Sequence, residues 1–151
     1  MHAKADIIIR PLRQEDHAEW RRLWTAYLAF YETTVAEDVY RSTWARLFDD
    51  GHFEPRGLMA EIDGKAVGLV HYIFHRTCWA EGDNCYLQDL FADAEVRGMG
   101  IGRALIEAVY TEADEAGVAN VYWMTQHFND TARLLYDRVA KLTPFIKYQR
   151  R

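Results

Sequence analysis

The stretch RGMGIG, residues 97–102, lies between a strand-like run at residues 86–91 and a helix-like run at residues 101–116. Its three alternate glycines predict a backbone that adopts positive φ angles and leaves successive N–H groups uncovered by side chains. The helix that follows adds the positive end of its dipole at the same point. The stretch therefore predicts an anion-binding turn that suits a pyrophosphate. The simpler alternative is a glycine-rich turn that only lets the chain enter a helix.

Two better-known phosphate-binding motifs do not fit these residues. The Walker loop requires Gly-Lys followed by Ser or Thr, and no such sequence follows the second glycine here. The dinucleotide fingerprint requires a third glycine where Arg103 stands. The next strand, residues 118–124, also lacks the terminal acidic residue that holds a ribose. The sequence therefore disfavours a nicotinamide or nucleoside-triphosphate site.

The pattern Arg-x-x-Gly-x-Gly at Arg97, Gly100 and Gly102, preceded by YLQDLF at residues 86–91, resembles the acetyl-CoA signature of the GNAT superfamily of N-acetyltransferases. Further agreement with the branch containing the yeast histone and polyamine acetyltransferase and the diamine acetyltransferases lies at VYTEAD (109–114), VYW (121–123), Asn129 and LLY (134–136). The resemblance covers residues 85–148 clearly and the first half of the chain only in outline.

The alternation of strand and helix patterns predicts an α/β (α+β) fold, a mixed sheet with helices on both faces. The predicted strands are residues 7–10, 58–62, 66–74, 86–91, 118–125 and 145–149, and the predicted helices are residues 20–31, 39–48, 101–116 and a last one capped by Asn129 or Asp130. The GNAT resemblance implies six to seven strands. It also implies that two central strands, residues 86–92 and 118–125, splay apart to form the acetyl-CoA notch.

Composition predicts one compact domain over residues 1–151, because 50% of the residues are hydrophobic and 14% aromatic. The net charge of -5 argues against a nucleic-acid partner and suits a cationic amine, although mild acidity also keeps proteins soluble. Without a leader or a membrane-spanning run, we expect a cytoplasmic protein with no membrane partner and a frayed lead-in at residues 1–6. Cys78 and Cys85 predict reduced thiols, and no ligand spacing predicts a metal.

The resemblance implies acetyl-CoA as co-substrate, with Tyr136 as the catalytic residue that protonates the leaving thiolate. Tyrosine, with a reference pKa of about 10, can donate at neutral pH, although a packed helix aromatic is the simpler alternative. Phe91 and Ala92 would bind the acetyl and pantetheine groups through the backbone, and Asn129 would hold the pantetheine arm. The implied cofactor-binding residues are Phe91, Ala92, Arg97, Gly98, Met99, Gly100, Ile101, Gly102, Arg103, Asn129 and Tyr136.

The amine acceptor must be neutral to attack, and losing its proton at pH 7 costs roughly 4 to 5 kcal/mol. The diamine enzymes carry Glu-Asp where this chain carries Gln88-Asp89, and Gln88 cannot accept a proton. Strand alternation predicts that only one of the two faces a given cleft. The substrate-binding candidates are Gln88, Asp89, Tyr27, Phe30 and Tyr31. The aromatic candidates could stack on an alkyl ammonium, and the alternative is that they only pack in the core. His71, His75 and His127 are expected to be packed or exposed rather than catalytic.

The function that these observations predict is acetyl-CoA-dependent N-acetylation of a primary amine by direct attack on the thioester. The acceptor stays open between a polyamine, an amino acid and a lysine-like amine, and so does the acyl-chain length. The alternative is a non-catalytic acyl-CoA-binding sensor, for which Gln88 is the sequence support. The resemblance also implies a homodimer formed through the C-terminal strand.

Overall fold

The computed structural model describes residues 6–151, so the expectation for the lead-in falls outside it except at Asp6. One mixed sheet with the strand order β1-β2-β3-β4-β5 organises the fold. The elements are β1 (Ile7–Pro11), α1 (His17–Phe30), α2 (Glu37–Leu47), β2 (Arg56–Ile62), β3 (Lys65–Arg76), β4 (Asp83–Ala92), α3 (Ile101–Glu115), β5 (Asn120–Tyr122) and α4 (Asp130–Val139). Short 3-10 turns at Gln14–Asp16 and Ala94–Val96 precede α1 and α3.

Helices cover both faces of the sheet, as the sequence predicts. On one face α3 buries Leu105, Ile106 and Val109 against β2, β3 and β4. On the other face α1 and α2 bury a second cluster that includes Trp20 and Tyr40. Each helix repeats its apolar side chains at helical spacing, so a single stripe reaches the sheet while the opposite side stays solvated.

The sheet changes direction at its last strand. Strands β1 to β4 pair antiparallel, with Asp63 and Gly64 at positive φ in the predicted hairpin turn between β2 and β3. Strand β5 pairs parallel to β4, and only through Asn84–Tyr86 against Asn120–Tyr122. Beyond Tyr86, β4 continues to Ala92, and no strand of residues 6–151 lies beside it on that side. The predicted splay between the two strands is therefore present, and the predicted strand at 118–125 is shorter than expected.

The predicted sixth strand, residues 145–149, is wrong, and the sheet has five strands rather than six to seven. These residues form no regular structure, and Phe145, Ile146 and Tyr148 are 77%, 77% and 89% exposed. Their alternating apolar pattern is typical of a strand. A strand also needs a neighbouring backbone to pair with, and within residues 6–151 the tail finds none.

Candidate active site

The glycine loop joins β4 to α3 and has the predicted backbone at two of its three glycines. Gly98 and Gly100 have φ angles of 85° and 89°, a region that side chains disfavour. Gly100 is the N-cap of α3, without a side-chain cap and without an acidic residue in the first turn. The first N–H groups of α3 therefore lack intrahelical acceptors and keep the positive end of the dipole uncompensated.

The predicted positive φ is wrong for Gly102, because this residue lies inside the first turn of α3. A Cβ built on Gly102 would lie 3.3 Å from Leu135 Cδ2, whereas one on Gly98 or Gly100 would meet nothing within 4 Å. Gly102 thus lets α3 pack closely against α4. Open space lies over Gly98 and Gly100, where an anion can reach the backbone.

The other loop residues divide between the surface and the core. Met99 is 40% exposed, whereas the side chain of Ile101 is buried, so Ile101 can offer a ligand only its backbone N–H. Arg97 lies with its Cζ 5.8 Å from the ring centroids of both Phe30 and Phe91. Arg103 is exposed and pairs with Glu107 one turn along α3. Arg97 therefore adds a cation to the loop before the uncapped helix end, whereas the charge of Arg103, in the first turn of α3, is paired with Glu107.

The notch between the splayed strands contains a cavity of about 20 Å³, room for roughly one water molecule. Its lining comes from α1, β4, the segment after β5 and α4, and consists of Tyr27, Tyr31, Leu87, Gln88, Leu90, Trp123, Met124 and Tyr136. Tyr136 packs edge-on against Trp123, with ring centroids 5.5 Å apart. Burial raises the pKa of Tyr136 to about 12, so its hydroxyl keeps its proton at neutral pH.

Phe91 and Ala92 lie on the part of β4 that does not pair with β5. They pair with Leu69 and Gly68 of β3 on one side. On the other side, no strand in the described part of the chain pairs with β4 after Tyr86. Backbone groups that point to this open side are available to a ligand in the notch, as the resemblance implies for these two residues.

Asn129 is the N-cap of α4, as predicted. Its Oδ1 accepts a hydrogen bond from the Ala132 N–H at 3.4 Å, and its Nδ2 donates to Thr125 Oγ1 at 3.3 Å. The side chain therefore fixes the start of the helix that carries Tyr136. Its implied contact with a pantetheine arm stays a prediction.

A second, larger cavity of about 600 Å³ opens beside the notch. Apolar side chains, two carboxylates and one guanidinium line it: Trp24, Leu28, Val35, Val39, Thr43, Arg46, Glu54, Pro55, His71, Ile73, Gln88 and Asp89. Gln88 lines both this cavity and the notch. The two spaces therefore meet at one residue of β4.

Gln88 and Asp89 both face the larger cavity, which corrects the expectation that only one of them could. The cause is a bulge in the β3–β4 ladder. His71 pairs with Asp89 and Tyr72 pairs with Leu87, so Gln88 has no opposite residue. A bulge inserts one extra residue and interrupts the alternation of the pleat, and a single sequence gives no sign of it.

Asp89 binds a buried histidine that the sequence analysis expected to be inert. Asp89 Oδ2 lies 2.8 Å from His71 Nδ1, and His71 Nε2 lies 2.9 Å from the indole nitrogen of Trp20. His71 is 3% exposed and Trp20 is fully buried. The three residues come from α1, β3 and β4, and no local spacing connects them.

The three aromatic candidates on α1 do not act as one group. Tyr27 and Tyr31 line the notch, with ring centroids 5.1 Å apart. Burial raises the pKa of both, and the negative charge of Asp89 adds to the shift. Phe30 is 51% exposed and lies beside Arg97 at the glycine loop. Tyr27 and Tyr31 therefore belong to the notch, whereas Phe30 lies at the glycine loop.

His75, His127 and the two cysteines line neither cavity. His75 Nε2 is 2.7 Å from the hydroxyl of Tyr122, and His127 is exposed beside Phe128. Cys78 and Cys85 are free thiols, and burial raises the pKa of Cys85 to about 11.

Within residues 6–151 no cluster of three His, Cys, Asp or Glu side chains could hold a metal ion. No helix in the same range is long and apolar enough to span a membrane.

Comparison with known proteins gives the same fold. The D-amino-acid N-acetyltransferase HPA3 of Saccharomyces cerevisiae is 37% identical over 145 residues, covering 95% of this chain and 90% of that protein. The solved aminoglycoside N-acetyltransferase AAC(6')-Iy in complex with CoA matches with a TM-score of 0.82 at 17% identity, over 100% of this chain and 98% of that one. The ribosomal-protein-alanine N-acetyltransferase of Brucella melitensis matches with a TM-score of 0.77 at 22% identity, over 97% and 99%.

A family model described as the acetyltransferase (GNAT) family matches residues 12–140. The matched range begins just after β1 and ends just after α4, so it takes in the glycine loop, the notch and the larger cavity. On this match, and on the likeness to the yeast enzyme along nearly its whole length, the chain belongs to the GNAT family of N-acetyltransferases.

Proposed function

We propose that this N-acetyltransferase transfers the acetyl group of acetyl-CoA to the primary amine of an amino acid, by direct attack of the amine on the thioester. The observation that carries the proposal is that the notch and the larger cavity meet at Gln88. The thioester carbonyl of a co-substrate that reaches the notch and an amine beside Asp89 would both lie next to that residue. Direct attack needs such a close approach of the two reacting groups.

The residues of the cofactor side fit the pyrophosphate of a CoA thioester. The uncapped start of α3 offers backbone N–H groups and a positive dipole, and the space over Gly98 and Gly100 is open. Arg97 adds a cation next to that space. The bound co-substrate would supply the thioester carbonyl, and the open side of β4 has backbone groups for its oxygen.

The lining of the larger cavity suits a zwitterion with an apolar side chain. Asp89 offers an anion for an ammonium group, and Arg46 of α2 offers a cation for a carboxylate. Leu28, Val35 and Ile73 give an apolar wall. The D-amino-acid acetylation named for the yeast relative supports this substrate class. A polyamine has no group to match Arg46.

Tyr136 and water carry the protons of the reaction, and Asp89 holds the amine in position. Asp89 accepts a hydrogen bond from the ammonium, which loses one proton to water before it attacks. As the new N–C bond forms and the C–S bond breaks, the Tyr136 hydroxyl gives its proton to the sulfur. The second proton leaves the nitrogen through water and restores Tyr136. The balance is an amide, a free thiol and one released proton.

The test is thiol release from acetyl-CoA with D- and L-phenylalanine, phenylalaninamide and spermidine, with product masses confirmed. We expect release with a free amino acid, and a much higher KM for phenylalaninamide because it lacks the carboxylate. Release with spermidine alone would overturn the amino-acid acceptor. Tight acetyl-CoA binding without release on any amine would favour the sensor, whose support from Gln88 weakens because Asp89 lies in the same cavity.

We further propose that two copies associate through the C-terminal tail. Support comes from the exposed Phe145, Ile146 and Tyr148, and from β5 at the end of the sheet, whose outer edge is free to pair within the described residues. A strand from a second copy would satisfy both. Light scattering after gel filtration should give a dimer for the whole chain and a monomer for Ile146→Asp. A monomeric wild-type chain would contradict the proposal.

A further inference from the structure

The contact between Trp20, His71 and Asp89 fixes which ring nitrogen of His71 carries a proton. An indole N–H is only a donor, so His71 Nε2, at 2.9 Å from it, must accept. Nε2 therefore has no proton, and the single ring proton is on Nδ1. From there His71 donates to Asp89 Oδ2 at 2.8 Å. His71 is neutral in this arrangement, because an imidazolium would need a proton on both nitrogens.

The surrounding packing holds the arrangement in place. The Trp20 ring stacks on Trp24 at 5.3 Å and lies 4.9 Å from Trp44, so the indole cannot turn away without unpacking α1 from α2. His71 and Asp89 are directly opposite on β3 and β4, which places their side chains on one face. The side chain of Asp89 keeps 14% exposure and lines the larger cavity.

We propose that His71 is a positioning residue, locked by Trp20 in its neutral Nδ1–H form so that Asp89 keeps its full negative charge toward the acceptor cavity as the anchor for an ammonium group. The ligand class rests on the proposed function, whereas the locked form of His71 does not. The hydrogen bond to His71 occupies Oδ2 of Asp89, and the Tyr27 hydroxyl also interacts with this carboxylate, whose side chain lines the larger cavity. A protonated His71 would instead cancel the charge of the carboxylate.

The other charged and titratable groups around the pair leave that charge uncompensated. Among the described residues, the only ion-pair contact of Asp89 is with His71. Burial and the charge of Asp89 raise the pKa of Tyr27 and of Tyr86, so both phenols stay neutral. The remaining groups that face the pair or line the cavity are Tyr31, whose pKa is also raised by burial, Tyr40 and Arg46 of α2, and Glu54 of the loop before β2.

A ring-nitrogen NMR experiment tests the locked form directly. In the wild-type protein we expect His71 to show a protonated Nδ1 and an unprotonated Nε2. In Trp20→Phe the acceptor Nε2 loses its donor, so the ring proton is no longer restricted to Nδ1 and the two ring-nitrogen signals should shift toward each other. The matched control is Trp24→Phe, because the Trp24 indole N–H is buried with no partner, and this variant should leave His71 unchanged.

Kinetics at saturating acetyl-CoA test the positioning role, with a pair of variants that keep or remove the donor to Asp89. His71→Asn retains an amide N–H near the position of Nδ1 and should keep the KM for the amine within about threefold. His71→Leu has no donor and should raise that KM about tenfold or more, because a charge-assisted hydrogen bond is lost. Neither variant should change the KM for acetyl-CoA. A purely structural role would lower activity in both variants without separating the two KM values.

The kinetics of Trp20→Phe link the NMR experiment to the kinetic one. Because the proton of His71 is no longer restricted to Nδ1, the donor to Asp89 is lost part of the time, and the KM for the amine should rise while the KM for acetyl-CoA stays unchanged. A proton on Nε2 of His71 in the wild-type protein, or equal amine KM values in His71→Asn and His71→Leu, would overturn the inference. If no amine supports thiol release, the proposed function fails while the NMR result still decides whether His71 is locked.

Discussion

The cofactor side and the acceptor side of the cleft are built in opposite ways. The glycine loop and the start of α3 come from seven consecutive positions, residues 97–103, and act through backbone conformation. The acceptor side joins α1, β3 and β4, with contacts between residues 51 and 18 positions apart in the chain. A site formed by backbone groups can be recognised from a short sequence motif. A site formed by side chains of several elements depends on the strand register, which residues far apart in the sequence determine.

Tyr136 lines the notch, where the proposed leaving sulfur would lie, so its loss should have the largest effect. Tyr136→Phe removes the proton donor to the leaving sulfur, and kcat should fall about 10²- to 10⁴-fold with both KM values little changed. Steady-state kinetics of thiol release measure this. The matched control is Tyr110→Phe, whose hydroxyl donates to the Val139 carbonyl away from both cavities and should not affect kcat.

The alkaline side of the pH profile gives an independent check on Tyr136. Burial raises its pKa to about 12, so the proton-donating form persists above pH 10, where an ordinary tyrosine is half ionised. The kcat should therefore stay level from pH 8.5 to 10.5. A kcat that falls to half its value by pH 10 would mean that the hydroxyl is not held in the buried notch.

Asp89→Asn should break the acceptor side alone. The variant keeps the shape of the side chain and removes the charge that holds the ammonium, so the KM for the amine should rise about 10- to 100-fold. The Kd of acetyl-CoA, measured by calorimetry, should not change. Asp83→Asn is the control. Asp83 lies on β4, as Asp89 does, and it also pairs with a histidine, His52, but it lines neither cavity. Equal effects of the two variants would contradict the comparison.

Sequence alone predicted the parts of the fold and site that local patterns determine. The loop at residues 97–102, the cap at Asn129 and the helical stripes on both faces follow from turn chemistry and periodicity. The bulge at Gln88 and the pairing of His71 with Asp89 depend on how β3 aligns with β4, which no local pattern encodes. The tail was predicted as a strand because alternation reports a strand preference and not whether a partner strand exists.

Gly100→Ala should weaken the cofactor side by a smaller factor. A Cβ at φ 89° costs about 1–2 kcal/mol and forces the loop away from its binding conformation, so the Kd of acetyl-CoA should rise about tenfold. Gly64→Ala at the β2–β3 turn is the matched control. Gly64 has φ 77° and open space around it, so this variant should lose similar stability without losing affinity.

Gly102→Ala should have the smallest effect, although the motif treats Gly102 and Gly100 alike. Gly102 is helical, so alanine gains about 1 kcal/mol of helix preference. The new Cβ would lie 3.3 Å from Leu135 Cδ2, on a side chain that is not fully buried and can shift by the few tenths of an ångström required. We expect the melting temperature and the Kd of acetyl-CoA to stay close to wild type, by thermal unfolding and calorimetry. If Gly102→Ala weakens acetyl-CoA binding as much as Gly100→Ala, the loop binds its ligand through all three glycines, and the separation of Gly102 as a packing residue between α3 and α4 is wrong.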